Sequence, residues 1–347
     1  MDLNHILISK DKTILDALRK LNVIKDVSRL ILFVQDDDNS IIGSLTDGDI
    51  RRSLAQDKDV EKHVGDVCFK GFVFEQESKK FLNLKSYRKK DIKILPILDS
   101  KNRLIRIIDL EKTKSELPLE CMIMAGGRGK RLSPLTDSIP KPMLPLGDKP
   151  IIEYNIDRLI AFGIKKIYIS VKYLGEQIED YFGDGSSKGI SIEYIWEKEF
   201  LGTAGALSLV KEFKSEQVIL MNSDLFTNVN FEDMYLDLIK TGADMTVAST
   251  EYKVDVPFAV FETEDNRVIN FKEKPSYVYH SNAGIYLLNR SLIQKIPKNQ
   301  FYDITDLMEK LVNEGGKLIH NPIVGYWIDI GSPTDYKQAK EFVKHLS

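Results

Sequence analysis

From residue 118 onward the sequence alternates short apolar runs with segments of helical periodicity, and this alternation limits the fold more than any other feature. Strands that alternate with helices form a mostly parallel sheet with helices on both faces. The strand-like runs are CMIMA, KIYISV, IEYIW and QVILM, and the helix-like segments between them include IIEYNIDRLIAFG and GTAGALSLVKEF. A later segment, FAVFETEDNRVINFKEKP, predicts a hairpin that turns at Asp265 and Asn266. The prediction is an α/β core with antiparallel additions.

A polar segment separates this core from what precedes it. Residues 111–120, EKTKSELPLE, contain Pro118 and lie between the apolar runs LIRIIDL and CMIMA. A chain of 347 residues has room for two domains. We therefore predict one domain over residues 1–117 and a second over residues 118–347.

The first domain contains an internal repeat. The segment ILFVQDDDNSIIGSLTDGDI from Ile31 resembles ILPILDSKNRLIRIIDL from Ile94, at an offset of 63 residues. Each copy predicts a strand, a turn of Asp and Asn, and a second strand. Before the first copy, TILDALRKLNV has the apolar spacing of a helix. The first domain is therefore predicted to be α+β and built from two similar halves.

Composition excludes several classes of protein. The 49 Lys and Arg against 52 Asp and Glu give a net charge of -3, which argues against nucleic acid as a partner. The apolar runs, such as Leu30 to Val34, are far shorter than the ~20 residues needed to span a bilayer. The amino-terminal residues do not have the pattern of a secretory signal, so we expect a cytoplasmic protein without membrane contact. We expect Cys68 and Cys121 to be buried apolar side chains, and the five scattered His predict no histidine chemistry.

The most informative segment is the glycine-rich stretch MIMAGGRGKRLSPLTDSIPKP, residues 122–142. Glycines after a strand let backbone N–H groups approach an anion closely. Arg and Lys follow at once and supply positive charge where a triphosphate would lie. Two common phosphate motifs do not fit, because Arg131 follows Gly129-Lys130 in place of the Walker Ser or Thr, and Leu132 stands where a dinucleotide fingerprint needs its third Gly.

This stretch resembles the signature AGGxGxRLxPLTxxxPKP of the sugar-1-phosphate nucleotidyltransferases. The resemblance implies a Rossmann-like, GT-A-like catalytic domain that takes a nucleoside triphosphate (NTP) and a sugar 1-phosphate and releases pyrophosphate. It implies that the backbone of Ala125, Gly126, Gly127 and Gly129 contacts the nucleotide, and that Arg131 and Lys141 handle phosphate groups.

The same resemblance implies a base pocket in IWEKEFLGTAGAL, with Glu197 as the base-reading side chain and with Gly202 and Thr203 beside it. A carboxylate only accepts hydrogen bonds, so it can pair with the adjacent N1–H and N2–H₂ donors of guanine. Guanine, and therefore GTP, is favoured. Uracil and thymine would suit an amide better, which leaves uridylyl or thymidylyl transfer as an alternative.

Two aspartates follow apolar strands, Asp224 in QVILMNSDLF and Asp329 in GYWIDIGSP. Catalytic groups in open α/β sheets commonly occupy this position. The resemblance makes both of them ligands of Mg²⁺, which prefers a few carboxylates together with phosphate oxygens. It gives Asp224 a catalytic role with Arg131 and Lys141.

The resemblance also implies a sugar-phosphate site. In FKEKP, Glu273 would contact sugar hydroxyls and Lys274 the phosphate. In SNAGIYLL, Asn282 could hydrogen-bond a hydroxyl and Gly284 would allow backbone approach.

The first domain resembles a tandem pair of cystathionine-β-synthase (CBS) modules, because Gly43, Thr46 and Asp49 fit the GxxTxxDI pattern of that family. The resemblance implies an adenine nucleotide at Thr46 and Asp49, and a homodimer or larger homo-oligomer. The second copy departs from the pattern, with Arg106 in the place of Gly43, so at most one ligand site is expected. A purely structural dimerisation arm is the alternative.

A CBS pair before this catalytic domain resembles a bacterial group that makes GDP-sugars for surface glycans. The implied product is a GDP-sugar of the glucosamine or mannose type. An alternative of a different class is a regulatory protein that only binds nucleotide and NDP-sugar.

Overall fold

The computed structural model describes residues 3–25, 27–78, 82 and 84–345, and the chain divides into two compact units, residues 1–116 and 117–347. Each unit has its own buried apolar clusters. Cys68 and Cys121 are both free and buried, as predicted, and burial raises the pKa of the Cys121 thiol.

The first unit contains two three-stranded sheets with the same topology. In each, the middle strand pairs in parallel with the first strand and antiparallel with the third. The elements are β1 (Leu7–Ser9), α1 (Ile14–Leu21), β2 (Ile31–Gln35), β3 (Ile41–Thr46), α2 (Asp47–Asp57), α3 (Val64–Val67), β4 (Glu75–Gln76), α4 (Leu84–Arg88), β5 (Ile94–Leu98) and β6 (Leu104–Asp109). The helix predicted before the first copy is confirmed as α1.

The internal repeat is confirmed down to its turns. The turn between β2 and β3 closes with Asn39 N–H donating to Asp36 O, and the turn between β5 and β6 closes with Asn102 N–H donating to Asp99 O. Both asparagines have positive φ, 65° and 58°. Asn tolerates this left-handed conformation better than most residues, which explains why the turn sequences are alike.

The two copies differ where the sequences differ. A Cβ at Gly43 would lie 2.6 Å from Cys68 Sγ, so this strand position has room only for glycine. At the equivalent position, the Arg106 side chain forms a bidentate ion pair with Glu116, at 2.5 and 2.8 Å. The second copy therefore uses this position to hold the segment that leaves the unit.

The second unit is built on a mixed seven-stranded sheet. The elements are β7 (Glu120–Met124), β8 (Pro145–Leu146), β9 (Lys149–Pro150), α5 (Ile151–Ala161), β10 (Lys166–Val171), α6 (Gly175–Phe182), β11 (Ser191–Trp196), β12 (Gln217–Asn222), β13 (Leu225–Thr227), α7 (Phe231–Thr241), β14 (Met245–Asp255), β15 (Val260–Glu264), β16 (Arg267–Lys272), β17 (Ser276–Asn289), α8 (Arg290–Ile293), α9 (Ile304–Asn313), β18 (Leu318–Pro322), β19 (Trp327–Asp329) and α10 (Pro333–Val343). The strand order in the sheet is β11-β10-β7-β12-β17-β14-β18. These strands are parallel except β17, which runs antiparallel to β12 and β14. The predicted mostly parallel α/β sheet is confirmed.

The central strands read as continuous apolar runs because helices cover both faces of the sheet. Every residue of β10 after Lys166 is buried. Helix α5 buries one face and is followed by Gly163, whose φ of 82° stops the helix. Within the described part of the chain, no helix is both long and apolar enough to cross a bilayer.

The helix predicted over GTAGALSLVKEF is wrong. The segment forms only a short 3₁₀ turn over Gly205–Leu209. Just before it, Ala204 and Gly205 both donate their N–H groups to Tyr302 O, at 3.0 Å each. These backbone bonds to a distant part of the chain replace the bonds of an α-helix.

An antiparallel arm, residues 251–280, extends beyond the sheet. It contains the outer halves of β14 and β17, joined by the hairpin of β15 and β16. The predicted turn is confirmed, with Asp265 at a φ of 48°. Large apolar side chains such as Phe258, Phe261 and Phe271 are exposed on this arm.

Candidate functional site

A cleft of about 420 Å³ lies at the carboxyl ends of β7, β11 and β12. Parallel α/β sheets commonly bind ligands at this edge. The lining combines glycines, cations, two carboxylates and one aromatic ring: Met124, Gly126, Gly127, Gly129, Lys130, Arg131, Lys141, Pro142, Glu197, Phe200, Gly202, Thr203, Asn222, Ser223, Asp224 and Gly331.

The glycine-rich loop forms one wall of the cleft, and its glycines have different reasons for being glycine. Gly129 has a φ of 64°, and a Cβ there would lie 2.9 Å from Lys141 Cβ. A Cβ at Gly126 would lie 2.8 Å from Glu197 Oε1. At Gly127 a Cβ would meet no protein atom within 4 Å. The protein itself therefore leaves the backbone of Gly127 open to the cleft, as close approach of an anion requires.

The second half of this loop is pinned to the body of the unit. Thr136 Oγ1 donates to Gly129 O at 2.9 Å. Tyr173 OH donates to the carbonyls of Thr136 and Asp137 at 3.1 and 3.0 Å, and the Arg128 guanidinium lies over the Tyr173 ring. The loop is therefore a fixed wall of the cleft.

The chain brings Asp224 and Asp329 together through the two short strands β13 and β19. These pair antiparallel with Leu225 opposite Asp329, and Ile330 N–H donates to Asp224 O at 3.0 Å. From α5, the buried Asn155 amide donates to the carbonyls of Ser223 and Leu225, which flank Asp224. Both aspartates are half-buried beside the cleft, and Asp224 lines it.

Cations accompany this carboxylate pair. Lys141 Nζ donates to Asp224 Oδ2, and the lysine side chain is 11% exposed. The Arg131 guanidinium lies beside Gly331, two residues after Asp329. Burial raises the pKa of the Asp329 carboxyl, and the Asp224 carboxylate raises it further, while Lys141 and Arg131 act in the opposite direction. Negative charge at Asp329 is therefore disfavoured in this site.

The residues present fit a divalent cation that also has phosphate ligands. Two half-buried carboxylates repel each other, and a cation shared between them would remove that repulsion. Among the described residues, no group of three or more His, Cys, Asp or Glu could hold a metal by itself. Two protein carboxylates completed by phosphate oxygens and water match the preference of Mg²⁺.

Glu197 also lines the cleft and is 7% exposed. Its Oε1 accepts a hydrogen bond from Ser170 Oγ on β10, and its Oε2 accepts one from Leu201 N–H at 2.9 Å. Each carboxylate oxygen has a further lone pair for a ligand. The carboxylate is thus held in one orientation before any ligand arrives.

Gly202 and Thr203 line the cleft together with Glu197, and both also serve the fold. Their contact with a base stays a prediction. A Cβ at Gly202 would lie 2.8 Å from Tyr302 O. Thr203 N–H and Oγ1 both donate to Asp303 Oδ1, at 2.9 and 3.0 Å. The Thr203 hydroxyl is therefore already engaged with the start of α9.

Four predicted sugar-site residues lie outside the lining of the cleft. Glu273 and Lys274 are exposed on the arm, with Lys274 at a φ of 43°. Asn282 donates to Tyr286 OH and accepts from Gly284 N–H. A Cβ at Gly284 would lie 2.6 Å from the amide of Asn222, which does line the cleft. Their contact with a sugar phosphate stays a prediction.

Several residues of the site were not found from the sequence. Asn155 and Ser170 act through Asp224 and Glu197, and each lies far from its partner in the chain. Asn222, Ser223 and Phe200 line the cleft directly. Asn222 and Ser223 stand just before Asp224 at the end of a strand, which is a local signal; Asn155 and Ser170 have none.

Ala125, predicted to contact the nucleotide, is buried outside the lining and continues β7 by donating its N–H to Ser170 O.

The first unit has a cavity of about 250 Å³, and Thr46 lines it together with Phe33, Phe69 and Pro96. Thr46 and Asp49 form a capping box at the start of α2, in which each side chain accepts from the other's N–H. Asp49 also pairs with Arg52 at 2.5 Å and is not part of the lining. The Thr-x-x-Asp spacing is itself a helix-start signal. A ligand role of Thr46 and Asp49 stays a prediction.

Two models of known protein families match this chain. The model of the nucleotidyl transferase family matches residues 120–345, and the CBS domain model matches residues 1–56.

Three similar proteins illustrate the range of relatives. The D-glycero-alpha-D-manno-heptose 1-phosphate guanylyltransferase of Aneurinibacillus thermoaerophilus is 34% identical over 238 residues, 65% of this chain and 99% of that protein. The UTP–glucose-1-phosphate uridylyltransferase of Synechocystis is 32% identical over 64% of this chain, which spans 62% of that protein. Among solved structures, HddC from Yersinia pseudotuberculosis is 26% identical with a TM-score of 0.50, over 65% of this chain and 99% of that chain, and has also been solved with GMP-PN.

The raised pKa of Asp329 predicts a stability effect. An acid whose folded-state pKa exceeds its usual 3.8 destabilises the folded chain as pH rises through the interval between the two values. Asp329→Asn removes this effect, so in metal-free buffer the variant should melt at a higher temperature than the wild type at pH 7. The difference should shrink as the pH is lowered towards about 4.

Thermal unfolding followed by circular dichroism, with a chelator present, measures this. Asp180→Asn on the exposed side of α6 is the matched control and should show no such pH-dependent gain. A lower melting temperature of Asp329→Asn at pH 7 would contradict the electrostatic account.

Proposed function

The chain belongs to the nucleotidyl transferase family, and from that premise we propose that it is a sugar-1-phosphate guanylyltransferase, which makes a GDP-sugar from GTP and a sugar 1-phosphate. The observation that supports this most is the set of groups that one cleft brings together. Lys141, Arg131 and Asp224 line it with the open backbone of Gly127, and the buried carboxylate of Glu197 lines it too. This combination suits the phosphates and the base of a nucleoside triphosphate.

In the proposed reaction, a phosphate oxygen of the sugar 1-phosphate attacks the α-phosphorus of GTP. The bond from the α-phosphorus to the oxygen that bridges to the β-phosphate breaks, and pyrophosphate leaves with the electron pair. The attacking oxygen is already anionic, so no general base is needed and no histidine is required. Catalysis then depends on alignment and on neutralising charge.

Side chains of the cleft can align the substrates and neutralise their charge. Arg131, exposed next to Gly331, would hold the departing pyrophosphate through its planar donors. Lys141, which lines the cleft and pairs with Asp224, would steady the incoming phosphate. Asp224 and Asp329 would hold Mg²⁺, which when bound supplies positive charge to the triphosphate oxygens.

Guanine is supported by the state of Glu197. Its carboxylate is buried and fixed by Ser170 and Leu201, so it presents acceptors only. Guanine offers two adjacent donors, N1–H and N2–H₂, to such a group. The relatives include a guanylyltransferase, and a structural neighbour binds GMP-PN. Uridylyl transfer is the second candidate, because a uridylyltransferase is 32% identical.

For the sugar, we propose that Glu273, Lys274, Asn282 and Gly284 form the site, and the contact of Gly284 with Asn222 places part of it next to the cleft. A GDP-sugar of the glucosamine or mannose type for surface glycans is the proposed product.

The first unit is proposed to bind an adenine nucleotide in the cavity beside Thr46 and to join chains into a homodimer or larger assembly.

Pyrophosphate release with a panel of nucleotides tests the base. GTP should react best, ITP should be weaker because its base lacks the N2–H₂ donor, and UTP, dTTP and ATP should react least. Glu197→Gln should lower the kcat/KM for GTP more than for UTP, since an amide places a donor opposite guanine N1–H. A preference for UTP in the wild type would refute guanylyl transfer, and a panel of sugar 1-phosphates in the same assay identifies the sugar.

The charged side chains of the cleft, Arg131 and Asp224, give a separate prediction. Arg131→Ala and Asp224→Asn should each lower turnover by ~10² or more, the scale of losing a preorganised charge. Pyrophosphate release at saturating substrate measures this, with Asp180→Asn as the control at an exposed carboxylate. Rates near that of the wild type in both variants would remove these residues from the mechanism.

Ligand binding by the first unit is tested with AMP and ATP. A ligand that binds only the folded chain raises its melting temperature, by an amount that grows with the logarithm of ligand concentration above the Kd. AMP should therefore raise it, and Arg131→Ala should keep that shift because the residue lies in the other unit. Phe69→Ala, which removes an exposed ring from the cavity wall, should lose it. No shift with either nucleotide would favour a structural arm.

A further inference from the structure

Phe200 is the aromatic side chain in the lining of the cleft, and its ring is 50% exposed. Aromatic rings contribute large apolar areas that are ordinarily buried, so one that faces a polar cleft calls for a partner. Phe200 lies three residues after Glu197 and two before Gly202, which line the same cleft. Its position is therefore beside the residue proposed to read the base.

The backbone holds this ring in place from both sides. Leu201 N–H donates to Glu197 Oε2 at 2.9 Å, which closes the chain around Lys198, Glu199 and Phe200. On the other side, Tyr302 N–H donates to Leu201 O at 3.0 Å. Lys172 Nζ also donates to Lys198 O at 2.6 Å. The ring therefore projects from a fixed turn whose shape depends on Glu197 itself.

Phe301 supports the Phe200 ring. The two ring centroids lie 6.0 Å apart with an angle of 51° between the planes, a range in which aromatic pairs attract. Phe301 is itself 58% exposed and does not line the cleft. Leu201 follows Phe200 and Tyr302 follows Phe301, and the backbone hydrogen bond between Leu201 and Tyr302 sets the two rings side by side.

We propose that Phe200, supported by Phe301, is the stacking surface for the nucleobase, and that it favours the larger face of a purine. This inference rests on the proposed function, in which Glu197 reads the edge of guanine. Edge recognition fixes which atoms of the base face Glu197 but leaves the face of the base exposed to water. A ring placed three residues away can cover that face, and base–aromatic stacking contributes to affinity for any base.

Stacking on Phe200 would affect binding of the base and leave binding of the phosphates unchanged, so ligands with and without a base distinguish the two. Isothermal titration calorimetry measures the affinities of GTP, UTP and inorganic triphosphate for the full chain and its variants. Phe200→Ala should weaken GTP binding by about 5- to 100-fold, the scale of losing one stacked base, and should weaken UTP binding less. It should leave the affinity for inorganic triphosphate unchanged, since that ligand has no base.

Three further variants make the test specific. Phe200→Tyr keeps a ring of the same size and should bind GTP as the wild type does, while Phe301→Ala should weaken GTP binding by less than Phe200→Ala. Phe258→Ala is the matched control, because Phe258 is 74% exposed on the arm and lies outside the cleft lining. Equal melting temperatures across the set exclude a general loss of structure.

Two results would overturn the inference: unchanged affinity of Phe200→Ala for the nucleotide that the wild type binds, or an equal loss for inorganic triphosphate. Failure of the proposed function is a different result. It appears in the wild type, as pyrophosphate release with UTP and not GTP, or as no release with any nucleotide.

Discussion

Two carboxylates that are half-buried side by side are the constraint on which the charged part of the cleft depends. Asp224 precedes β13 and Asp329 ends β19, more than 100 residues further along the chain, and the β13–β19 pair holds them together despite their burial and like charge. The Asn155 amide fixes the backbone on both sides of Asp224, and Lys141 and Arg131 offset part of the repulsion. Such an arrangement costs stability, and sites that bind charged ligands commonly carry this cost.

A buried carboxylate in the same cleft shows a different solution to burying charge. Glu197 is almost completely buried, and both its oxygens have donors within the protein. A Cβ at Gly126 would lie 2.8 Å from Glu197 Oε1, so the glycine-rich loop lies directly against this carboxylate. A side chain at position 126 would therefore displace the carboxylate as well as narrow the loop. One glycine thus couples the loop to the position of Glu197.

Much of this architecture could be predicted because its signals are local. Strand and helix periodicity predicted the sheet, the Asp265-Asn266 turn predicted the hairpin, and the glycine-rich loop and the carboxylates after β12 and β19 predicted a cleft at the sheet edge. The errors and omissions involve contacts between distant residues. The segment after Gly202 has the pattern of a helix, but backbone hydrogen bonds to Tyr302 take the place of helical ones. Nothing in the sequence near Ser170 or Asn155 indicates that they hold Glu197 and the backbone around Asp224. Thr46 and Asp49 are different, since their spacing also fits a helix cap, and a local pattern with two explanations does not decide between them.

The divergence of the two repeats in the first unit has a consequence for stoichiometry. Gly43 keeps the first copy's strand close to Cys68, whereas Arg106 in the second copy is committed to Glu116. The copies share a fold and a turn geometry, but only the first has the cavity residue Thr46. A ligand that uses this cavity would occupy one place per chain, and its saturation curve within a single chain would be hyperbolic. Sigmoidal dependence on such a ligand would therefore have to originate between chains.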